Sequence, residues 1–444
     1  MKVDYIISEI GSTTTVVTAF RLGEKGIDII AQGKNYTTVN EGDVTIGLSK
    51  AIEDIEIQLG EKITWDRMLS TSSAAGGLKI TVHGLVEDMT VKAAKEAALG
   101  AGGNIKLITA GKLRNADIKR IKEINPNLIM IAGGTDYGER ETALYNAELL
   151  SKENLNKPFI YCGNITNQYE IKELFQGQEL YIVDNVYPRI DELNVEPTRK
   201  IIQRAFENNI TKASGMNKIK SMVDGIIMPT PGAVMESAKL LYEIIGDVVV
   251  FDVGGATTDV HSVTEGSIDI LDILVSPEPF AKRTVEGDLG VYVNSENLVN
   301  LLETRDLENK SKESIRENIR PIPKTNEEIE CSRILTKKAV EVALNRHVGY
   351  LKRTYGSSKN FIAYGKDLSK VKYIIGTGGA LTRLPKGETI LHEIRYSKED
   401  LTMLPRSEAK VLLDNNYIMA CAGVLSKENK EAAALLLKQS LGII

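Results

Sequence analysis

Cysteine is scarce. The 444 residues contain three, Cys162, Cys331 and Cys421, an odd number set far apart, which excludes a disulfide framework or a cysteine metal knuckle as the basis of the fold and fits a reducing cytosol. Long apolar runs are missing as well: no stretch reaches the roughly 18 residues of a membrane span. The opening MKVDYIISEIGSTTT places Asp4 and Glu9 where a signal peptide needs its apolar core, so the chain reads as soluble and cytoplasmic. Nor is there an excess of positive charge. A formal net charge of -5 gives no overall electrostatic case for nucleic acid or an anionic membrane as partner. The P-loop pattern GxxxxGKS/T is absent, and without a DxHxxG-like element the chain shows no sign of binding cobalamin itself. Histidine offers no metal site: His83, His347 and His392 have no ligand spacing. His261, two residues after Asp259 in VHSV, reads as a satisfied structural strand residue rather than a base.

Glycine, by contrast, is plentiful. Its 37 copies, with 42% hydrophobic and 26% charged residues, describe a globular chain with many tight turns, long enough for about two to four domains. Near the start, VDYIISEI, VVTAF and IDIIAQG read as strands joined by GSTTT and RLGEKG, and Val44, Ile46, Leu48, Ile52, Ile55 and Leu59 make a helical stripe ending near Gly60. Over 70–225, strand-like LIMIAGG, PFIYCGN and ELYIVDNV alternate with helical TVKAAKEAALGAG, ERETALYNAELL and EIKELFQG. This is parallel α/β material, sized for a domain of its own or a large insertion.

From Asp224, DGIIMPTPGAVMESAKLLYEIIG gives a helix with a proline-marked start and Val234, Ala238, Leu241 and Ile245 on one face. VVVFDVGG, VHSVTEG and SIDILDIL then form a second strand and hairpin series about 240 residues after the first, as a duplicated two-lobed fold would. The interval 310–331 reads as a surface helix followed by a linker. RILTKKAVEVALNRHVGYLKRTYG reads as one amphipathic helix, and the tail from Asn416 as two helices that close a core. The expected domains are 1–69, the start of a first lobe; 70–225, the insertion; and 226–444, a connecting helix and second lobe whose last helix returns to the first.

Three glycine turns carry the chemistry: EIGSTTT at Glu9–Thr15, DVGGATTD at Asp252–Asp259 and IGTGGALTRL at Ile375–Leu384. Such turns present several N–H groups to one anion, and Ser or Thr hydroxyls add donors. Two of them face to face would clamp a polyphosphate, whereas any one alone is also a plain hairpin turn. Carboxylates beside phosphates need a cation between them, so Glu9, Asp252 and Asp259 point to magnesium and its waters. Asp136 and Glu139 in GGTDYGERE flank another turn that opens a helix, fit either for an anion or for capping that helix.

With those residues in view, the chain resembles the actin, Hsp70 and sugar-kinase ATPase superfamily. EIGSTTT resembles its first phosphate loop, DVGGATTD its second, PTPGAV its first connecting helix, IGTGG its adenosine loop and NYIMACAGVL its second connecting helix. The closer likeness is to the glutamate mutase accessory (MutL) family, on MIAGGTDYGERETALYNAELL, PFIYCGN, DNVYPRIDELNVEPTR, PTPGAV, DVGGATTDVHSV and EGDLG. The resemblance implies a duplicated, two-lobed ribonuclease H-like α/β fold with a large insertion. It implies ATP or ADP with Mg2+ in the cleft. Gly11, Ser12, Thr13 and Thr14 would meet the phosphates from one lobe and Gly254, Gly255, Ala256 and Thr257 from the other. Gly376, Gly378 and Gly379 would lie under the adenosine, and Asp252 and Asp259 would organise the metal's waters. Glu9 stands where relatives usually have Asp, so it would hold a metal-bound water while risking misplacement of the attacking one, and weak hydrolysis is expected. Glu9 and Asp252 are the expected catalytic pair. The implied role is a chaperone-like ATPase that reactivates or assembles an adenosylcobalamin-dependent mutase or aminomutase, with a homodimer compatible. A small-molecule kinase of the same fold and a non-catalytic nucleotide-binding scaffold are the alternatives.

Overall fold

The structure, a computed structural model, describes residues 1–23, 26–38, 41–73, 78–210, 216–225, 227–354, 360–394 and 401–443. The tip of the RLGEKG turn, the expected boundary residue 226 and the end of YLKRTYG lie outside the described residues. The chain forms two compact units, one of Met1–Ala74, Ser214–Val275 and Phe280–Ile444, the other of Ala75–Ala213 and Ser276–Pro279. Among the described residues no helix is long and apolar enough to cross a membrane.

The first unit opens with an antiparallel meander of β1 (Lys2–Ile10), β2 (Thr14–Gly23) and β3 (Gly26–Tyr36), and β4 (Thr64–Ser72) lies parallel to β1. The second half of β1 is buried on both faces, which is why it reads as a near-continuous apolar run rather than an alternating one. Before β4 comes the helix Val44–Leu59. Asp43 caps it, accepting from the Thr45 N–H at 2.9 Å, and Gly60 ends it at φ 72°, the left-handed stop that glycine supplies.

The second unit is a parallel sheet of β5 (Leu78–Gly84), β6 (Gly103–Ala110), β7 (Leu128–Ile131), β8 (Phe159–Tyr161) and β9 (Leu180–Ile182), in the order β6-β5-β7-β8-β9. Every residue of β7 and β8 is buried. Helices Lys92–Gly100, Asn115–Ile124, Glu141–Ser151 and Gln168–Leu174 alternate with the strands. Within this unit the Lys92 ammonium donates to Ser276 Oγ at 2.7 Å and to the Pro277 carbonyl at 3.0 Å, and pairs with Glu278 at 2.6 Å.

The chain then re-enters the first unit. β10 (Ile227–Pro229) pairs in parallel with β4, giving the order β10-β4-β1-β2-β3. After the helix Thr230–Ile245 come β11 (Val248–Val253), β12 (Thr258–Val263) and β13 (Ala281–Glu286), an antiparallel meander. β14 (Tyr350–Arg353) and β15 (Phe361–Tyr364) make a small ribbon, and β16 (Tyr373–Thr377) and β17 (Lys410–Leu413) complete a sheet ordered β13-β12-β11-β16-β17. The two five-stranded sheets of the first unit share one order and one pattern of strand directions. Even their first turns match: the Gly11 N–H bonds the Thr14 carbonyl at 3.0 Å, and the Gly254 N–H bonds that of Thr257 at 2.9 Å. The molecule is therefore a duplicated α/β ATPase fold of the actin and Hsp70 kind, with a large insertion.

One core joins the two sheets. Ile7, Phe20 and Leu69 from the first and Val248, Val250 and Val263 from the second pack with the helices Thr230–Ile245, Met419–Leu425 and Lys430–Leu441. The other face of the second sheet lies on the helix Asn326–His347.

Three expectations are corrected. SIDILDIL is not a strand: Ile268–Leu271 is one helical turn, and the third strand of the meander is Ala281–Glu286. The long helix begins inside the interval read as a linker, because Thr325 and Glu328 form a capping box that starts it at Asn326. That helix ends at His347, and Tyr350–Arg353, read as helical, is a strand paired with Phe361–Tyr364.

Candidate functional site

The matching turns of β1–β2 and β11–β12 face each other in the first unit. A Cβ built on Gly255 would lie 2.8 Å from Thr13 Oγ1, so the backbone of the second turn packs closely on the Thr13 side chain of the first. They line a cleft of about 550 Å³ to which Glu9, Asp252, Asp259, Gly378, Arg383 and Tyr417 also contribute. Of the residues expected here, Gly11 to Thr14, Gly254 to Thr257, Gly378 and Gly379 all line the cleft. Gly376 does not line it. It sits in β16, packed among Leu391, Leu413 and Leu381. Gly378 is required to be glycine twice over: its φ is +83°, and a Cβ would fall 2.4 Å from the Val253 carbonyl oxygen and 2.6 Å from Asp252 Oδ1.

Beneath the turns lie the carboxylates. Glu9 is the last residue but one of β1, at 9% exposure, and Asp252 and Asp259 stand directly opposite each other in β11 and β12. Asp259 is committed: its Oδ1 accepts from Arg283 Nη2 at 2.6 Å and Nε at 3.0 Å, and its Oδ2 from the Thr257 hydroxyl at 3.2 Å. Both members of that ion pair are buried, so either one alone would be a costly unpaired charge. Burial pushes the Glu9 carboxyl up to about 7; Asp414 adds to the rise, while the bond from Tyr417 opposes it. Burial lifts Asp252 well above the usual carboxylate range, and the charges of Asp259 and Glu9 lift it further.

This donor set fits a cation. The negative charge that lifts Asp252 is relieved by positive charge beside it. Among the described residues no three His, Cys, Asp or Glu side chains form a direct ligand set, so a divalent ion would be held here through water and phosphate oxygens.

Sequence reasoning missed a second set of groups. Tyr417 donates its hydroxyl to Glu9 Oε1 at 2.7 Å, and its backbone is left-handed at φ 52°. Asp414 fixes that turn by accepting from the N–H groups of Ile418 and Met419 and the hydroxyls of Thr377 and Ser440. The Arg383 guanidinium lies 5.5 Å from the centre of the Tyr417 ring and bonds the Gln32 side chain on β3. Lys34 and Arg320 bring further positive charge to the wall. The one available signal was the polar DNNY that runs into IMACAGVL.

Other expected residues find structural work. Asp136 Oδ1 accepts from the Ile165 N–H and the Asn185 amide, each at 2.9 Å. Glu139 Oε1 accepts from the Thr142 N–H and hydroxyl, each at 2.8 Å. Both are therefore internal caps rather than anion ligands. His83 and His347 are buried between pairs of hydroxyls. His261 is fully buried with both ring nitrogens unpaired.

The family described as MutL protein matches residues 5–441. Protein MutL of Clostridium tetanomorphum is 36% identical over 459 residues, spanning 98% of this chain and 99% of the relative. Among solved structures, nucleotide-free acetone carboxylase pairs with 96% of this chain and 70% of its own at 13% identity and a TM-score of 0.43. A glycerol dehydratase reactivase pairs with 87% and 94% at 10% identity and a TM-score of 0.32. Both structural overlaps are too loose to speak for function.

Proposed function

The chain belongs to the MutL protein family, and from that membership and the cleft we propose that it is a magnesium-dependent ATPase of the chaperone type, reactivating or assembling an adenosylcobalamin-dependent mutase or aminomutase. The observation that carries the nucleotide reading is the pair of matched turns facing each other over buried carboxylates. The partner reading rests on the family resemblance.

The Gly11 and Gly254 N–H groups close the turns on themselves, which leaves the N–H groups at the tips, those of Ser12 and Thr13 and of Gly255 and Ala256, to receive the phosphates from opposite lobes. Magnesium, when bound, offsets phosphate charge and carries ordered water. Asp252 would hold such a water, and Asp259, gripped by Arg283, ties β12 to β13. Glu9 orients the water that attacks, its own position set by Tyr417. ATP and ADP then bias the angle between lobes only as far as they bind its alternatives unequally.

The test is reactivation. A mutase from the same organism is inactivated by turnover, then given this protein, ATP, magnesium and fresh adenosylcobalamin. Recovery is expected to need all four and to fail with Asp252→Ala. Recovery indifferent to ATP would point to a static scaffold, and phosphorylation of a small acceptor in its place to a kinase.

A further inference from the structure

Three of the sequence signatures, MIAGGTDYGERETALYNAELL, PFIYCGN and DNVYPRIDELNVEPTR, take no part in the cleft. Within them, residues 132–140, 162–164 and 184–192 follow the carboxyl ends of β7, β8 and β9, neighbouring parallel strands of the second unit. Their loops are tied together. Asn164, fully buried, accepts through Oδ1 from the N–H groups of Tyr137 at 3.1 Å and Thr166 at 3.0 Å, and donates to the carbonyls of Gly138 and Glu139 at 3.2 Å. Asp136 binds Ile165 and Asn185, as described, and its own N–H donates to the Pro188 carbonyl at 2.9 Å. Buried Asn167 accepts from Arg140 Nε at 2.9 Å. Such a network rigidifies the loops it connects.

What this scaffold presents is apolar and outward. Tyr137 is 81% exposed, Tyr169 74%, Ile190 71% and Ile165 42%. Tyr137 is also held at φ 62°, a left-handed conformation that costs a non-glycine residue energy. An aromatic ring that is both strained and exposed gains nothing for this chain's own folding. Rigid, exposed tyrosines on ordered loops are the composition of interface hot spots.

Charge selects the occupant. Across residues 135–141, 165–170 and 184–192 there are seven carboxylates and two guanidinium groups. The two arginines already face glutamates, Arg140 with Glu170 at 2.7 Å and Arg189 with Glu192 at 3.9 Å. An isologous contact with a second copy would set this acidic rim against itself, and anionic lipid or nucleic acid would be repelled. We propose that the carboxyl edge of the second unit's sheet, centred on Tyr137, Tyr169 and Ile190, is the docking face for a partner protein that presents an apolar centre ringed by basic side chains. Resting on the function proposed above, that partner is the enzyme the ATPase serves.

The experiment uses the full-length chain and the purified adenosylcobalamin-dependent mutase of the same organism, with affinity read by biosensor. Tyr137→Gly removes the ring and the backbone strain together. It is expected to melt at or above the wild-type temperature yet bind the mutase at least tenfold more weakly, a pairing that a merely structural tyrosine would not give. Tyr169→Ala with Ile190→Ala is expected to weaken binding similarly. Asp191→Lys with Glu192→Lys is expected to slow association and flatten its salt dependence, with nucleotide affinity unchanged in every variant. Wild-type binding that survives all three variants overturns the surface and leaves the proposed function standing. A wild-type chain that binds no mutase overturns both. Loss of self-association rather than mutase binding, seen by sedimentation, also overturns the proposal, in favour of a second copy.

Discussion

Glu9 and Tyr417 are 408 residues apart and share a hydrogen bond of 2.7 Å. Glutamate is one methylene longer than the aspartate usual at this position of the superfamily, and the hydroxyl of Tyr417 stands where that longer reach ends. Tyr417→Phe is expected to lower the rate of ATP hydrolysis about tenfold, because an unheld carboxylate misplaces the attacking water. Nucleotide affinity should change less than about twofold, since the proposed site gives the phosphates to backbone N–H groups. Glu9→Asp stops short of the hydroxyl, so in that background Tyr417→Phe should have almost no further effect on turnover. A double-mutant cycle on steady-state hydrolysis checks this, and equal effects in both backgrounds would separate the two residues. That Glu9 and Asp252 border the cleft was legible in the sequence because acids beside glycine turns carry a local signal. Tyr417 and Arg383 were not, because their roles exist only after the end of the chain returns to its beginning. Gly376 shows the opposite error: it belongs to a glycine-rich motif, yet its missing side chain makes room for leucines rather than for a ligand.

Among the elements, the two connecting helices cross where Gly423 meets Ala233, and a Cβ at 423 would fall 1.8 Å from the Ala233 carbonyl oxygen. Backbone cannot yield as a flexible side chain can. Gly423→Val is therefore expected to force the helices apart and cost about 3 kcal/mol or more, read by chemical denaturation. Strand β5 offers a pH-dependent counterpart. His83 is buried between the hydroxyls of Thr81 and Thr109, and burial lowers its pKa to about 4, with Asp117 opposing weakly. The unfolded chain takes up the proton near 6.5 and the folded one only near 4, so this contribution is complete above about 6.5 and is lost as pH falls toward 4. Urea unfolding should lose roughly 2 kcal/mol from this source between pH 7 and pH 5, and His83→Gln should flatten the slope by that amount. The repeated strand–turn–strand pattern was readable at this scale because both meanders are local. The parallel additions of β4, β10, β16 and β17 were not, since their neighbours are set by long crossovers. SIDILDIL misled because alternation over so few residues fits a strand or a single helical turn equally well.

For the whole molecule, what matters is that neither lobe holds the expected ligand alone. One glycine turn belongs to the first sheet and its match to the second, and the shared core runs through both connecting helices. A nucleotide that touches both turns must therefore stabilise both lobes by linkage. The single tryptophan, Trp65, lies in β4 of the first sheet and reports the unfolding of that lobe by fluorescence. Magnesium and ADP at a hundredfold their dissociation constant should raise the stability seen at Trp65 by about 2.7 kcal/mol. Asp252→Ala alters only the second sheet, yet it should abolish most of that gain by removing the group expected to hold the metal's water. ADP without magnesium should stabilise the wild type and the variant alike. If Trp65 gains the same stability from magnesium and ADP in both proteins, Asp252 has no part in holding the metal; if Trp65 gains none in the wild type, the clasp between lobes is wrong.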